Sequence, residues 1–223
     1  MTEDVPAAPA ETPEPDAPDT ASPEGEDDAR HSAKMRKKKA ARDRMMAAKS
    51  GEKGLLIVHT GTGKGKSSAA FGMVLRCLGH GMRVGVVQFI KGAMDTAERT
   101  VLETYPDLVT IRAMGEGFTW ETQDRARDVA AAERAWGLAA EMLADPAYAM
   151  VVLDEINVVL RYGYLEMDPV LDTIAARPPL QHVVMTGRHA GEPLIEAADL
   201  VTEMKLIKHP FRSGVKGQKG VEF

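Results

Sequence analysis

A glycine-rich run with two lysines and two serines is the segment of this sequence best suited to chemistry. It reads Thr60-Gly61-Thr62-Gly63-Lys64-Gly65-Lys66-Ser67-Ser68. Glycines let backbone N–H groups converge on phosphate oxygens, and a helix that begins there adds partial positive charge. Lys66 matches the phosphate lysine and Ser67 the Mg²⁺-binding hydroxyl of the pattern G-x-x-x-x-G-K-[ST], and Lys64 adds a cation. We therefore expect all nine residues to contribute to a nucleoside triphosphate site.

The first position of that pattern departs from the usual residue. Counting back from Gly65, the first glycine position is occupied by Thr60. A glycine-rich loop that binds no nucleotide is the alternative interpretation. The succession of an apolar strand, Gly-Lys-Ser and a helical pattern favours the phosphate loop.

An acidic pair follows a second apolar run. Asp154-Glu155 comes directly after Met150-Val151-Val152-Leu153. A carboxylate at a strand end can hold the Mg²⁺ (or Mn²⁺) that bridges phosphate oxygens, directly or through water. The structural alternative is an acid that caps the next helix.

Two aromatic residues flanked by glycines lie in the segment Gly115-Glu116-Gly117-Phe118-Thr119-Trp120. Their setting is compatible with a ligand platform and equally with a piece of the core. The residue pattern alone leaves both open.

The elements that must position these residues alternate between short apolar runs and longer amphipathic stretches. Continuous apolar strands separated by helices predict an α/β fold with a mostly parallel sheet covered by helices on both faces. With the phosphate loop after the first strand, the expected fold class is P-loop NTPase-like (RecA-like). The predicted strands are 55–58, 83–90, 109–112, 150–153, 182–185 and 200–204, and the predicted helices are 67–78, 122–143 and 170–176.

The polar residues that follow the strands should meet at one edge of the sheet, because ligands of such sheets bind beyond the carboxyl ends of the strands. The residues expected there are 60–68, Gln88 with Lys91, Asp154-Glu155, and Thr186-Gly187-Arg188. We expect Gln88, Glu155 and Arg188 to join the phosphate loop in binding the nucleotide, and Ser67, Asp154 and Glu155 to bind the metal.

Charge is distributed unevenly along the 223 residues, whose net charge is -5. Residues 1–28 hold ten Asp and Glu and no Lys or Arg, so residues 1–30 are interpreted as a disordered acidic, Pro-rich tail. Residues 31–53 are basic and favour a helix, either a nucleic-acid arm or a solvated helix leading into the domain. Residues 54–223 then form the single globular domain. This body is nearly neutral, so no nucleic-acid partner is expected.

The apolar runs are only a few residues long, whereas a membrane helix needs roughly 18 or more, and no signal peptide is evident at the N-terminus. Cys77 is the only cysteine, so no internal disulfide is possible. A cytoplasmic location without membrane association is the simplest expectation.

The sequence resembles the ATP:corrinoid adenosyltransferases of the cob(I)yrinic acid a,c-diamide type over essentially all of 54–223. The resemblance begins with the loop and its extension Ala69-Ala70-Phe71-Gly72, and it continues in order to the C-terminus. The strings that carry it are Gly79-His80-Gly81, Val86-Val87-Gln88-Phe89-Ile90-Lys91-Gly92, Gly117-Phe118-Thr119-Trp120-Glu121-Thr122-Gln123, Val152-Leu153-Asp154-Glu155, Thr186-Gly187-Arg188, Lys208-His209-Pro210-Phe211, Gly214-Val215-Lys216 and Gln218-Lys219-Gly220.

The resemblance implies an enzyme that transfers the 5′-deoxyadenosyl group of ATP to the Co(I) of a reduced corrinoid and releases triphosphate, in adenosylcobalamin synthesis or salvage. The corrinoid would be cobalamin, cobinamide or cobyrinic acid diamide. Lys64 and Lys66, with Mg²⁺, would stabilise the leaving triphosphate. The resemblance also implies a homodimer and an electron-donor flavoprotein as partner.

Further roles are implied for particular residues. Phe118 and Trp120 match family residues that lie against the corrin and displace its lower axial ligand, which eases reduction of cobalt. Thr60 belongs to a modified phosphate loop in which ATP lies in reversed orientation and presents C5′ to the cobalt. The basic segment 34–49 corresponds in position to a helix that covers the corrinoid site of a neighbouring subunit.

Two other functions remain to be weighed. A P-loop ATPase or kinase would move the γ-phosphate, with Glu155 as its base, and a nucleotide-dependent module would bind nucleic acid through the basic arm. His80, His189 and His209 are interpreted as structural residues or neighbours of the phosphates, because cobalt must lose its axial base in the implied reaction.

Overall fold

The short apolar runs of the sequence form the strands of one sheet in the computed structural model, which describes residues 23–90, 97–114 and 124–221. Two compact units are distinguished, residues 1–51 and 52–223. In the first unit, helix α1 spans Pro23–Ala47. The strands of the second unit are β1 Leu56–Thr60, β2 Val84–Gln88, β3 Val109–Ala113, β4 Met150–Asp154, β5 His182–Thr186 and β6 Leu200–Glu203.

The described residues of the second unit contain six further helices. They are α2 Lys66–Gly79, α3 Ala97–Leu102, α4 Arg125–Ala144, α5 Ile156–Arg161, α6 Met167–Ala175 and α7 Glu192–Ala197, followed by a 3₁₀ turn at Pro210–Ser213. Helices α3, α5 and α7 were not predicted, because six residues are too few to display a helical period. All six predicted strands and the predicted helices α2, α4 and α6 are present, with ends that differ by up to three residues.

The sheet is parallel throughout, in the order β3-β2-β4-β5-β1-β6. Strands β1 and β2 are consecutive in sequence, yet β5 and β4 lie between them. The strand that leads into the phosphate loop is therefore separated by β5 from the strand that ends in the acidic pair. This arrangement confirms the predicted P-loop NTPase-like, RecA-like fold class.

Helices cover both faces of the sheet because the strand side chains alternate between them. Leu56 and Val58 belong to a core formed with α4, α5, α6 and α7. Ile57, between them, belongs to a second core formed with α2 and α3. Strands β1, β2 and β4 are buried at every position and β5 at all but its first, which accounts for their apolar runs. Strand β6, at the edge of the sheet, is exposed.

The N-terminal unit differs from the expectation in its boundaries. Helix α1 begins at Pro23 and ends at Ala47, so residues 23–30, expected to be disordered, are helical. The expectation of disorder for residues 1–22 lies outside the described residues. Among the residues that the structure describes, no helix is both long enough and apolar enough to cross a membrane.

Candidate active site

The carboxyl ends of four neighbouring strands, β2, β4, β5 and β1, form one rim that concentrates the buried polar side chains of the protein. Eight polar or charged side chains are buried in the described chain, and only Gln181 lies at the opposite, amino-terminal end of the strands. The seven at the rim are His59, Thr60, Lys66, Gln88, Asp154, Asn157 and Thr186. Buried polar groups cost free energy unless they are paired, so their concentration at one edge marks a functional site.

Asp154 is the centre of a hydrogen-bonded group that joins three strands. Its side chain is 1% exposed. The Oδ2 atom accepts a hydrogen bond from Gln88 Nε2 at 3.1 Å, and Oδ1 accepts one from Thr186 Oγ1 at 2.7 Å. The predicted meeting of Gln88, Asp154 and Thr186 is therefore confirmed.

Glu155 adopts a left-handed backbone conformation directly after Asp154, with φ 63°. Its backbone N–H donates to Thr186 Oγ1 at 2.9 Å, which helps to hold that conformation. Glu155 occupies the N-cap position of α5, but its side chain makes no capping hydrogen bond. The capping interpretation of the acidic pair is thus not supported, and a non-glycine residue with positive φ is typical of strained functional positions.

The phosphate loop ends on two features that suit an anion. Gly65 precedes α2 with φ 101°, a conformation that glycine adopts without steric cost. The helix then begins at Lys66, and Ala69 N–H donates to Gly65 O at 2.8 Å. The amides of Lys66, Ser67 and Ser68 precede this first intrahelical bond, so they belong to the turn whose N–H groups are available to an anion.

Lys66 is buried within the loop. Its Nζ donates to Gly63 O at 2.6 Å, and its side chain is 7% exposed. Burial lowers the pKa of Lys66 below its usual value, and the positive charges of Arg188 and Lys64 lower it further, against the raising effect of Glu155 and Asp154. Because these charges act on one ammonium group, the three cations and two carboxylates share one region of the rim.

The chain that leaves β6 packs tightly on the loop. Gly63 N–H donates to Met204 O at 2.6 Å, and a Cβ at Gly63 would lie 2.7 Å from that oxygen. A Cβ at Gly61 would collide with the same carbonyl. Gly61 and Gly63 are therefore required for close approach of Met204, a role in addition to the one predicted for them.

The turn after β5 is held at both ends. Gly187 N–H donates to His59 O at 3.2 Å, and Gly187 O accepts from Asn157 Nδ2 at 3.1 Å. At the far end, Ala190 N–H donates to Thr60 Oγ1 at 3.0 Å. Arg188 and His189 lie exposed between these two attachments.

Two residues of this rim were missed by the sequence interpretation. His59 is buried, and its Nδ1 lies 3.2 Å from Lys66 O. Asn157 is 1% exposed and holds Gly187, while its Oδ1 has no partner in the structure. A polar residue inside the otherwise apolar run Ile156–Leu160 was the available signal for Asn157.

Several predicted residues lie outside the rim or outside the described residues. Phe118, Trp120 and Lys91 fall in segments that the structure does not describe. His80 follows α2 as its C-cap residue, and His209 Nδ1 accepts from Phe211 N–H at 3.2 Å at the start of the 3₁₀ turn. The roles expected for these two histidines stay predictions.

The donor set fits a magnesium ion that arrives with a nucleotide. Mg²⁺ is usually held by one or two carboxylates together with substrate phosphates and water. The rim offers Asp154, Glu155 and the half-buried Ser67 hydroxyl beside the loop. Within residues 23–90, 97–114 and 124–221, no group of three or more His, Cys, Asp or Glu residues could form a complete protein cage for a metal.

Two family models match the chain. Residues 52–223 match the model described as ATP:corrinoid adenosyltransferase BtuR/CobO/CobP. Residues 22–46 match the model described as Cob(I)alamin adenosyltransferase N terminal. The first match contains the whole sheet and every rim residue described above.

Curated relatives match over nearly their full length. A corrinoid adenosyltransferase of Pseudomonas aeruginosa is 60% identical over 198 residues, covering 89% of this chain and 98% of the relative. One from a Sinorhizobium species is also 60% identical, covering 90% and 95%. Corrinoid adenosyltransferase CobA of Salmonella typhimurium is 44% identical, covering 88% and 99%.

Proposed function

The chain belongs to the ATP:corrinoid adenosyltransferase family BtuR/CobO/CobP, and from this premise we propose how its rim residues carry out the reaction. The substrates are ATP and a corrinoid reduced to Co(I). The cobalt attacks C5′ of the ribose, a Co–C bond forms, the C5′–O bond breaks, and triphosphate leaves with the electron pair. The observation that carries the proposal is the family match, which spans the entire unit that forms the rim.

The charge that develops on the leaving triphosphate is the main demand on the protein. Lys64 and Lys66, with the amides at the start of α2, supply positive charge where that oxygen charge accumulates. Lys66 is partly desolvated, and its attraction to an anion is stronger in such a site than in water. Because Co(I) is itself a strong nucleophile, the reaction requires neither a protein nucleophile nor a general base.

Ser67, Asp154 and Glu155 are the residues that would hold Mg²⁺ beside the phosphates. When bound, the ion supplies charge neutralisation at the phosphate oxygens. Gln88 and Thr186 contribute by orienting the Asp154 carboxylate through the two hydrogen bonds at 3.1 Å and 2.7 Å. Such outer partners fix the direction in which a carboxylate presents its remaining lone pairs.

ATP lies in reversed orientation on this loop in our proposal, with C5′ directed toward the corrinoid. Support comes from Thr60, which replaces the first glycine of the usual pattern, and from the resemblance to modified phosphate loops. A crystal structure with MgATP tests this directly, since the ordinary orientation would overturn it.

The corrinoid and the assembly are proposed from the resemblance. Phe118 and Trp120 contact the corrin and displace its lower axial ligand, and a flavoprotein supplies the electron that forms Co(I). The enzyme acts as a cytoplasmic homodimer in synthesis or salvage of adenosylcobalamin. Sedimentation of the purified chain tests the dimer, and reduction assays with candidate flavoproteins test the electron donor.

Anaerobic incubation with MgATP and chemically reduced cobalamin tests the function as a whole. The expected result is the spectrum of a Co–C bond together with one triphosphate for each corrinoid adenosylated. Release of orthophosphate without a Co–C bond would instead identify an ATPase, and transfer of the γ-phosphate to an acceptor would identify a kinase. Either result would overturn the proposal.

A further inference from the structure

Thr60 connects the phosphate loop to both neighbouring strands. Its backbone O accepts from Met204 N–H at 2.8 Å, which attaches the loop to the chain after β6. Its side-chain Oγ1 accepts from Ala190 N–H at 3.0 Å, which attaches the loop to the turn after β5. A glycine at this position would keep the first attachment and lose the second.

The backbone conformation at position 60 does not require a glycine. The only non-glycine residues with positive φ in the described chain are Glu155 and His189, so Thr60 has a conformation that any residue can adopt. Its side chain is 8% exposed. A buried hydroxyl that accepts a backbone N–H from another loop has a specific positional effect, because removing it leaves that N–H without its partner.

The turn attached to Thr60 carries Arg188. Gly187 has φ 132° and His189 has φ 57°, and such conformations persist only when surrounding contacts hold them. The first end of the turn is held by His59 and Asn157, and the second end is held by Thr60. Thr186 at the end of β5 pairs with His59 near the end of β1, so the exposed Arg188 lies on a turn that leaves the sheet beside the phosphate loop.

We propose that Thr60 is a positioning residue: its hydroxyl fixes the turn 187–190 so that Arg188 lies over the phosphate loop and binds the triphosphate. The inference rests on the proposed function, because it takes triphosphate as the anion that binds between the phosphate loop and Arg188. It assigns to the unusual residue of the loop a direct structural task, the coupling of the loop to a cation on another strand. Thr60 itself need not touch the nucleotide.

A double-mutant cycle tests the coupling, with inorganic tripolyphosphate as the probe and calorimetry as the measurement. Thr60→Val removes the hydroxyl at constant shape, Thr60→Ser retains it, and Arg188→Met removes the cation. We expect Thr60→Val to weaken tripolyphosphate binding by at least about fivefold, the effect of a lost buried hydrogen bond. Thr60→Ser should stay within about twofold of the parent protein.

The decisive measurement is the effect of Thr60→Val in a protein that already carries Arg188→Met. There, Thr60→Val should change tripolyphosphate affinity by less than about twofold, because the cation that it positions is gone. The proposal would be overturned if the fold-changes in tripolyphosphate affinity caused by Thr60→Val and Arg188→Met multiplied in the double variant. Equal losses of affinity in Thr60→Ser and Thr60→Val would overturn it as well. Thr60→Gly restores the usual loop pattern, and parent-like binding by that variant would also overturn it.

A matched control and a second readout separate this inference from the proposed function. Thr202→Val removes a hydroxyl from an exposed threonine on β6, and binding should not change. Circular dichroism verifies that each variant folds, and Thr60→Gly replaces Thr60→Val if the valine variant does not. Because tripolyphosphate binding needs no corrinoid, the two proposals can fail separately. Coupling between Thr60 and Arg188 without Co–C bond formation would contradict the proposed function alone. Adenosylation without that coupling would contradict this inference alone.

Discussion

Thr186 Oγ1 donates a hydrogen bond to Asp154 Oδ1 at 2.7 Å and accepts one from the backbone N–H of Glu155 at 2.9 Å. One hydroxyl therefore orients the side chain of the first acid and holds the backbone of the second. Both its donor and its acceptor capacity are used. The relationship depends on the sheet order, because β5 pairs directly with β4.

Thr186→Val should damage the site more than its small change in size suggests. The substitution leaves the buried Asp154 carboxylate with one donor fewer and the Glu155 N–H without its acceptor. We expect a loss of about 1–3 kcal/mol in the free energy of unfolding, measured by urea denaturation, and a lower kcat for adenosyl transfer. Thr186→Ser should preserve both, and equal behaviour of the serine and valine variants would contradict the hydroxyl's role.

Triphosphate binding should weaken at alkaline pH because of Lys66. Burial places the pKa of this lysine below 10.5 in the ligand-free protein, and a bound polyanion favours the protonated form and raises that pKa. Affinity should therefore fall as the pH rises through the ligand-free pKa. In the window between the ligand-free and ligand-bound pKa values, binding should take up a proton.

Calorimetry in buffers of different ionisation enthalpy measures that proton uptake. Lys66→Arg retains its charge over the same range and should show neither the uptake nor the decline. The same shift has a consequence for folding, because the unfolded chain holds the Lys66 proton more tightly than the folded one. The stability of the ligand-free protein should accordingly gain from Lys66 deprotonation as pH rises toward 10.5.

Gly187→Ala tests the packing beneath Arg188. A Cβ at this position would lie 2.9 Å from Asn157 Cβ, and the backbone has φ 132°, a conformation that residues other than glycine rarely adopt. We expect a loss of about 1–3 kcal/mol in unfolding free energy and reduced tripolyphosphate affinity.

Gly72→Ala is the matched control on helix α2. A Cβ there meets nothing within 4 Å, and alanine is favoured over glycine in a helix by about 0.5–1 kcal/mol. This variant should therefore be more stable than the parent protein. Destabilisation of both variants to the same extent would show that the Asn157 contact is not responsible.

The sequence was sufficient for the loop, the acidic pair and the strands, since each depends on local composition. The spacing of the loop, with Gly65 followed by Lys66 and Ser67, predicts a phosphate site. Apolar runs such as 150–153 predict strands that are buried on both faces. The resemblance added the reaction, and the family match agrees with it.

What sequence could not supply is the pairing of distant elements. The contact between Thr60 and Ala190 joins residues 130 positions apart, and it exists because β1 and β5 are neighbours in a sheet whose order no local pattern encodes. The packing of Met204 on Gly61 and Gly63 likewise uses backbone atoms, which carry no residue signature. Asn157 was missed because it is a single polar residue within an apolar run, and such a run predicts packing in the core.

Trp120→Ala should separate cobalt reduction from nucleotide binding. The resemblance assigns this residue to the face of the corrin, where an apolar ring displaces the lower axial ligand and favours formation of Co(I). We expect adenosylation that starts from Co(II) corrinoid and a reductant to fall by roughly tenfold or more, as for other truncated aromatic contacts. Adenosylation that starts from chemically prepared Co(I), and the affinity for ATP, should change much less.

Phe118→Ala should behave in the same way as Trp120→Ala. The control is Tyr105→Ala, which truncates an exposed aromatic residue on the turn after α3 and should leave both routes unchanged. Equal losses in the two routes would assign Trp120 to a general structural role, and full activity from Co(II) in both the Phe118 and Trp120 variants would remove these residues from the corrinoid site.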